Sequence, residues 1–70
     1  MISIKQEHLG YLQEAKIDIS KALSDNDLDL VLEIIDDAIV GDIIDHNDAI
    51  TKHGIYLQRI YDQINADNEV

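Results

Sequence analysis

The sequence predicts an all-α fold, a small three-helix bundle, and three observations carry that expectation. Leucine and isoleucine recur at three- and four-residue spacings through most of the chain. Proline is absent, so nothing within those stretches forbids a helix. Cysteine is absent too, so branched aliphatics must hold the fold without disulfides or the usual Cys-containing zinc sites. A hydrophobic content of 46% is too high for a disordered chain, despite the charge. Seventy residues allow one domain, 1–70, with modest stability of its own.

The first helix is expected over residues 4–23, with Ser3 as its N-cap. His8, Leu12, Ala15, Ile19 and Ala22 form its stripe, widened by Leu9 and Leu23. Ser24-Asp25-Asn26-Asp27 is a run of turn and cap formers, with Asp27 or Asp25 the N-cap of the next helix.

The second helix is expected over 28–44. Leu28, Val31, Leu32, Ile35, Ala38 and Ile39 share one face, and Leu30 with Ile34 broadens it past half the circumference. After Val40 the pattern loses phase, because Ile44 falls on the acidic side and Asp42 on the apolar side. Gly41 marks either an end or kink, or a helix that continues to about Ile44 before a loop at Asp45-His46-Asn47-Asp48.

The third helix is expected over 48–65, with Ile50, Gly54, Leu57, Tyr61 and Ile64 on its stripe. Ile43 and Asn47 extend that stripe backwards, which leaves a start just after Gly41, capped by Asp42, as the alternative. The later start is preferred because Asp, His and Asn in sequence are weak helix formers. Residues 66–70 are expected to fray.

Charge is unevenly distributed. The formal net charge is −10, yet Lys5, Lys16 and Lys21 offset Glu7, Glu14 and Asp18 in the first helix. Between Lys21 and Lys52 there is no basic residue, while Asp25, Asp27, Asp29, Glu33, Asp36, Asp37, Asp42, Asp45 and Asp48 fall in that stretch. Asp29, Glu33 and Asp37 stand four apart on one ridge, an arrangement that costs about 0.2–0.5 kcal/mol per pair. Carboxylates one helical turn apart lie ~6 Å from each other, near the spacing of phosphates along a DNA strand. The plain purpose of such a ridge is solubility. The functional one is a docking surface for a basic protein, made by Asp25, Asp29, Glu33, Asp36, Asp37 and Asp45, with nucleic-acid mimicry as its extreme form.

Other constellations are incomplete. Asp25, Asp27 and Asp29 have calcium-loop spacing, but Leu30 stands where that loop needs glycine. His46 and His53 would lie about two turns apart on one helix, too far to share a metal. His8 and His53, with Glu7, could meet across neighbouring helices. Glu33-Ile34-Ile35-Asp36 resembles the E-x-x-D pair of all-helical nucleotide pyrophosphohydrolases, and Asp45 with Asp48 could supply another pair. That resemblance implies magnesium-dependent hydrolysis, but the family's upstream Glu pair is missing, as is a basic cluster for phosphates. Asp27-Leu28 resembles the Asp-Ser-Leu stretch of acyl carrier proteins without the attachment serine. No nucleophile–base pair or Gly-rich phosphate loop is present.

The expectation is therefore a non-catalytic interaction or inhibitor protein, with no catalytic residue, metal or cofactor, whose partner is a basic protein or protein groove. Direct contact with nucleic acid or anionic lipid is disfavoured by charge. No apolar stretch approaches the ~20 residues of a membrane span, and Met1-Ile2-Ser3-Ile4-Lys5 lacks the features of a signal peptide, so a cytoplasmic location is expected. A homodimer is expected through Leu30, Ile34, Ile17 and Ile55, the apolar residues left over by three helices. The alternatives are an assembly subunit docking by its apolar second helix, and the small metal-dependent nucleotide hydrolase. Size and composition also suit a phage or mobile-element accessory protein.

Overall fold

The computed structural model describes residues 2–47, 49 and 51–68. Among these there are four helices and no strand: α1 (Gln6–Glu14), α2 (Ser20–Ser24), α3 (Leu28–Asp45) and α4 (Lys52–Asp67). The all-α bundle is as expected, but the helix expected over 4–23 is two helices. At the end of α1 the chain turns through Lys16, whose φ is 62°. The Lys16 N–H donates to the Gln13 carbonyl (3.0 Å) and the Ile17 N–H to the Leu12 carbonyl (2.9 Å). Those two bonds are a Schellman ending, which favours glycine or asparagine at the left-handed position. Lysine stands there instead, so the residue type gave no warning.

The chain re-enters a helix through an Asx turn. Asp18 Oδ1 accepts from the Ser20 N–H (2.9 Å) and the Ser20 hydroxyl (2.5 Å), and these bonds hold its carboxyl below the usual range. A second Schellman ending closes α2 at Asn26, φ 54°, with Asn26 N–H on the Leu23 carbonyl and Asp27 N–H on that of Ala22. Asp27 then caps α3, accepting from the Leu30 N–H at 3.1 Å.

Ser3 caps nothing. Lys5 precedes α1 in an extended conformation, and Ile2 and Ile4 lie along the core. Asn68 holds this strand-like segment: its Oδ1 accepts from the Ser3 N–H (2.7 Å), and its Nδ2 donates to the Ser3 and Ile64 carbonyls (both 2.8 Å). The chain at 66–68, expected to fray, is thus tied to the other terminus.

α3 runs unbroken through Gly41 for 18 residues, about 27 Å. Its buried Val31, Ile35 and Ile39 meet Leu57, Ile60 and Ile64 of α4 in the largest contact of the fold, and Leu12, Ile19 and Ala22 close the core. α4 starts at Lys52, later than residue 48, because Thr51 is its cap: the Thr51 hydroxyl oxygen accepts from the Gly54 N–H at 3.2 Å. The alternative start after Gly41 is overturned as well, since Asp42 lies inside α3. Asp48 and Ile50 lie outside the described residues. Tyr11 meets His53 and His8 meets Tyr56, so α1 runs antiparallel to α4. Among the described residues no helix is long and apolar enough to cross a membrane.

The unbroken helix at Gly41 and the left-handed turn at Lys16 can both be tested by substitution. A Cβ at Gly41 would meet nothing within 4 Å, so Gly41→Ala should stabilise α3 by about 0.5–1 kcal/mol. Lys16→Gly should stabilise by a similar amount by relieving the left-handed lysine. Each would appear as a rise of a few degrees in Tm. A fall for Gly41→Ala would mean that the helix is broken there after all.

Candidate functional site

The phase slip after Val40 is a real partition of α3. Asp42 is 9% exposed and faces inward, while Val40 and Ile44 face outward at 47% and 66% exposure. Burying a carboxylate is costly unless it is hydrogen-bonded. Asp42 Oδ2 accepts from the Thr51 hydroxyl at 2.7 Å and more weakly from the Thr51 N–H at 3.4 Å. The Thr51 hydroxyl bond, more than any other contact, lowers the Asp42 pKa against the opposing effect of burial. His46 adds to this from the end of α3, its Nδ1 lying 3.4 Å from Asp42 Oδ1 and 2.8 Å from the Asp42 carbonyl oxygen.

Next to this clasp is an aromatic seam. Tyr11 pairs through its hydroxyl with His53 Nδ1 at 2.5 Å and meets Tyr56 edge-to-face, ring centroids 4.3 Å apart. Burial raises the Tyr11 pKa, with smaller contributions from Tyr56 and Asp42. His8 is 8% exposed, lies edge-on to Tyr56, and its Nδ1 has no hydrogen-bond partner among the described residues. His8 and His53 therefore do lie along one interhelical seam, separated by tyrosines. His46 and His53 stand on different elements, not on one helix. Among the described residues no three His, Asp or Glu side chains gather closely enough to hold a metal. Neither Tyr11, His53 nor Asp42 lines the cleft between α1 and α2 or the one beside Ile2 and Ile4. The seam joins α1 to α4, and the clasp beside it joins α3 to the start of α4.

The outward face of α3 is different. Asp29, Glu33, Asp36 and Asp37 are all exposed, as are Asp25 before the helix and Asp45 at its end. Among the described residues none of these six carboxylates forms a salt bridge or hydrogen bond. Val40 and Ile44 continue the same face, which passes from acidic to apolar along its length. Spacing placed the acids on one side with Ile44 among them, and left open whether the helix ends at Gly41 or reaches about Ile44; it runs on to Asp45. Glu33 and Asp36, the E-x-x-D pair, both point to solvent here.

Of the residues expected to drive self-association, Leu30, Ile34 and Ile17 are partly buried against the core, and Ile55 is exposed. Ile17 does not sit opposite a helical seam, because α1 ends at Glu14 and the turn at Lys16 brings Ile17 back to the core. An apolar groove of about 380 Å³ opens between α1 and α2, with Leu9, Ile17 and Leu23 in its walls and Lys16 at its edge. The chain matches no family model, no curated protein and no solved structure.

The clasp makes a pH prediction whose sign follows from the lowered Asp42 pKa. Its stabilisation is present above the ordinary carboxylate range and is lost as pH falls through the lower, folded-state value. Asp42→Asn should therefore melt several degrees below the unsubstituted protein at neutral pH, and the gap should close below about pH 4. A gap that is absent at neutral pH, or independent of pH, would show that the charge on Asp42 contributes nothing.

Proposed function

We propose that this chain is a non-catalytic binding protein that docks the outward face of α3 on a basic groove of a partner protein. The observation that supports this most is the row Asp29, Glu33, Asp36 and Asp37, exposed on one unbroken helix with no cation from the chain's described residues to balance it. Like charges at that spacing weaken the helix slightly, and a partner's lysines and arginines would reverse the penalty on binding. A rigid helix also fixes the carboxylates in a line about 6 Å apart, so a partner groove shaped for nucleic acid is the natural fit and DNA the natural competitor.

A second reading, an assembly subunit that docks through apolar surface, is supported by Val40 and Ile44 at the far end of the same face. Salt separates the two. Charge-driven docking weakens steeply with ionic strength and apolar docking does not.

The test uses an oligolysine peptide as the basic probe. Asp29→Asn, Glu33→Gln and Asp37→Asn combined should weaken its binding by about tenfold or more, roughly 1.4 kcal/mol. Removing the same charge elsewhere, with Glu7→Gln, Glu14→Gln and Asp62→Asn, should weaken it far less. Equal losses from the two triple variants would reduce the α3 face to a share of the net charge and sink the docking surface.

A further inference from the structure

Solubility accounts for the carboxylates on α3 but not for the aliphatic residues that follow them. Asp29, Glu33, Asp37, Val40 and Ile44 recur at spacings of three and four along one exposed side of the helix. They form a stripe about 22 Å long, acidic over its first turns and aliphatic over its last. Ile44 is 66% exposed and Val40, one turn before it, 47%. A single exposed aliphatic residue is ordinary. A pair stacked one turn apart, in line with carboxylates that have no described ion-pair partner, makes a two-part contact surface.

Both parts bear on what can cover it. The acids repel the same face of a second copy, and nucleic acid and anionic lipid as well. They favour cations spaced one helical turn apart, because they stand about 6 Å from each other on a rigid helix. The aliphatic end favours apolar side chains at the same spacing. An amphipathic helix of about 15 residues supplies both on a single side. We propose that the groove of the partner presents a basic amphipathic helix to α3, its lysines or arginines against Asp29, Glu33 and Asp37 and an aliphatic pair against Val40 and Ile44. The two helices run antiparallel. The partner's cations then fall toward its own carboxyl end, while the acids of α3 fall toward its amino end, as both helix dipoles favour. Such a partner is a narrower class of the basic protein proposed above and rests on that reading.

Peptide binding tests the match. One alanine-based peptide of about 15 residues carries a leucine pair one turn apart near its amino end, then lysines one turn apart on the same side. A second, of identical composition, carries its leucines on the opposite side. The unsubstituted chain should bind the first at least about tenfold more tightly than the second. Circular dichroism should show the first gaining helix as it binds, since so short a helix is only partly formed alone. Val40→Thr combined with Ile44→Gln, shown folded, should abolish the preference while oligolysine binding stays unchanged. Equal binding of the two peptides, a preference that survives the double variant, or binding without added helix would overturn the helical partner. Oligolysine judges the acidic face separately. If the acidic-face triple variant still loses oligolysine more than its control, only the helix is wrong; if it does not, the docking reading itself has failed.

Discussion

The hydrogen bond from Thr51 to Asp42 sets the geometry on which the rest of α3 depends. A carboxylate facing the core is tolerated only with a donor in place, and Thr51 supplies two, its hydroxyl and its backbone N–H. The same hydroxyl oxygen accepts from Gly54 and starts α4. One side chain therefore fixes the end of one helix relative to the beginning of the next. With Asp42 satisfied inside, α3 keeps its phase through Gly41, and residues two positions to either side must face out. Val40 and Ile44 are exposed for that reason.

The amino-terminal half solves a different problem. A single straight helix over 4–23 would offer one narrow stripe to the α3–α4 pair. Breaking it at Lys16 lets α1 lie along α4 through Tyr11 and His8, while α2 carries Ala22 and Leu23 against α3. The Schellman ending at Lys16 and the Asx turn at Asp18 supply the backbone hydrogen bonds that the break removes. The bend also leaves Leu9, Ile17 and Leu23 around an open groove, which a continuous helix would not form.

How much of this was legible in the sequence differs from residue to residue. Most core positions of α3 and α4 followed from spacing, because Val31, Ile35, Ile39, Leu57 and Ile64 obey one helical period, but the fully buried Ile60 was missed in favour of Tyr61, which is only half-buried. The Asp27 cap was legible from its residue type. The break at Lys16 was not, since lysine rarely holds a left-handed conformation and Ala15, Ile19 and Ala22 stay in helical register across it. Asp18-Ile19-Ser20 was the available signal, a cap-forming pair at Asx-turn spacing within an otherwise helical stretch. Thr51 and Asn68 were missed for another reason: each acts on a partner distant in sequence or on a segment with no periodicity, and spacing carries no information about such pairs. The acidic face was legible as a set of positions, and the expected span of 28–44 carried the helix through its apolar end, although spacing left a break at Gly41 open.

The loss of phase after Val40 shows how polar and apolar exceptions arise together. A helix that must place one carboxylate inside, to clasp its neighbour, keeps its period and exchanges faces at that point. An aliphatic residue then stands outside as the counterpart. Ile44 is less a failure of amphipathicity than the consequence of retaining Asp42 within a straight helix. Its exposure removes nothing from the core, which Val31, Ile35 and Ile39 already fill. An outward isoleucine that the fold does not need, at the end of a row of carboxylates without described ion-pair partners, remains available for contact with another molecule.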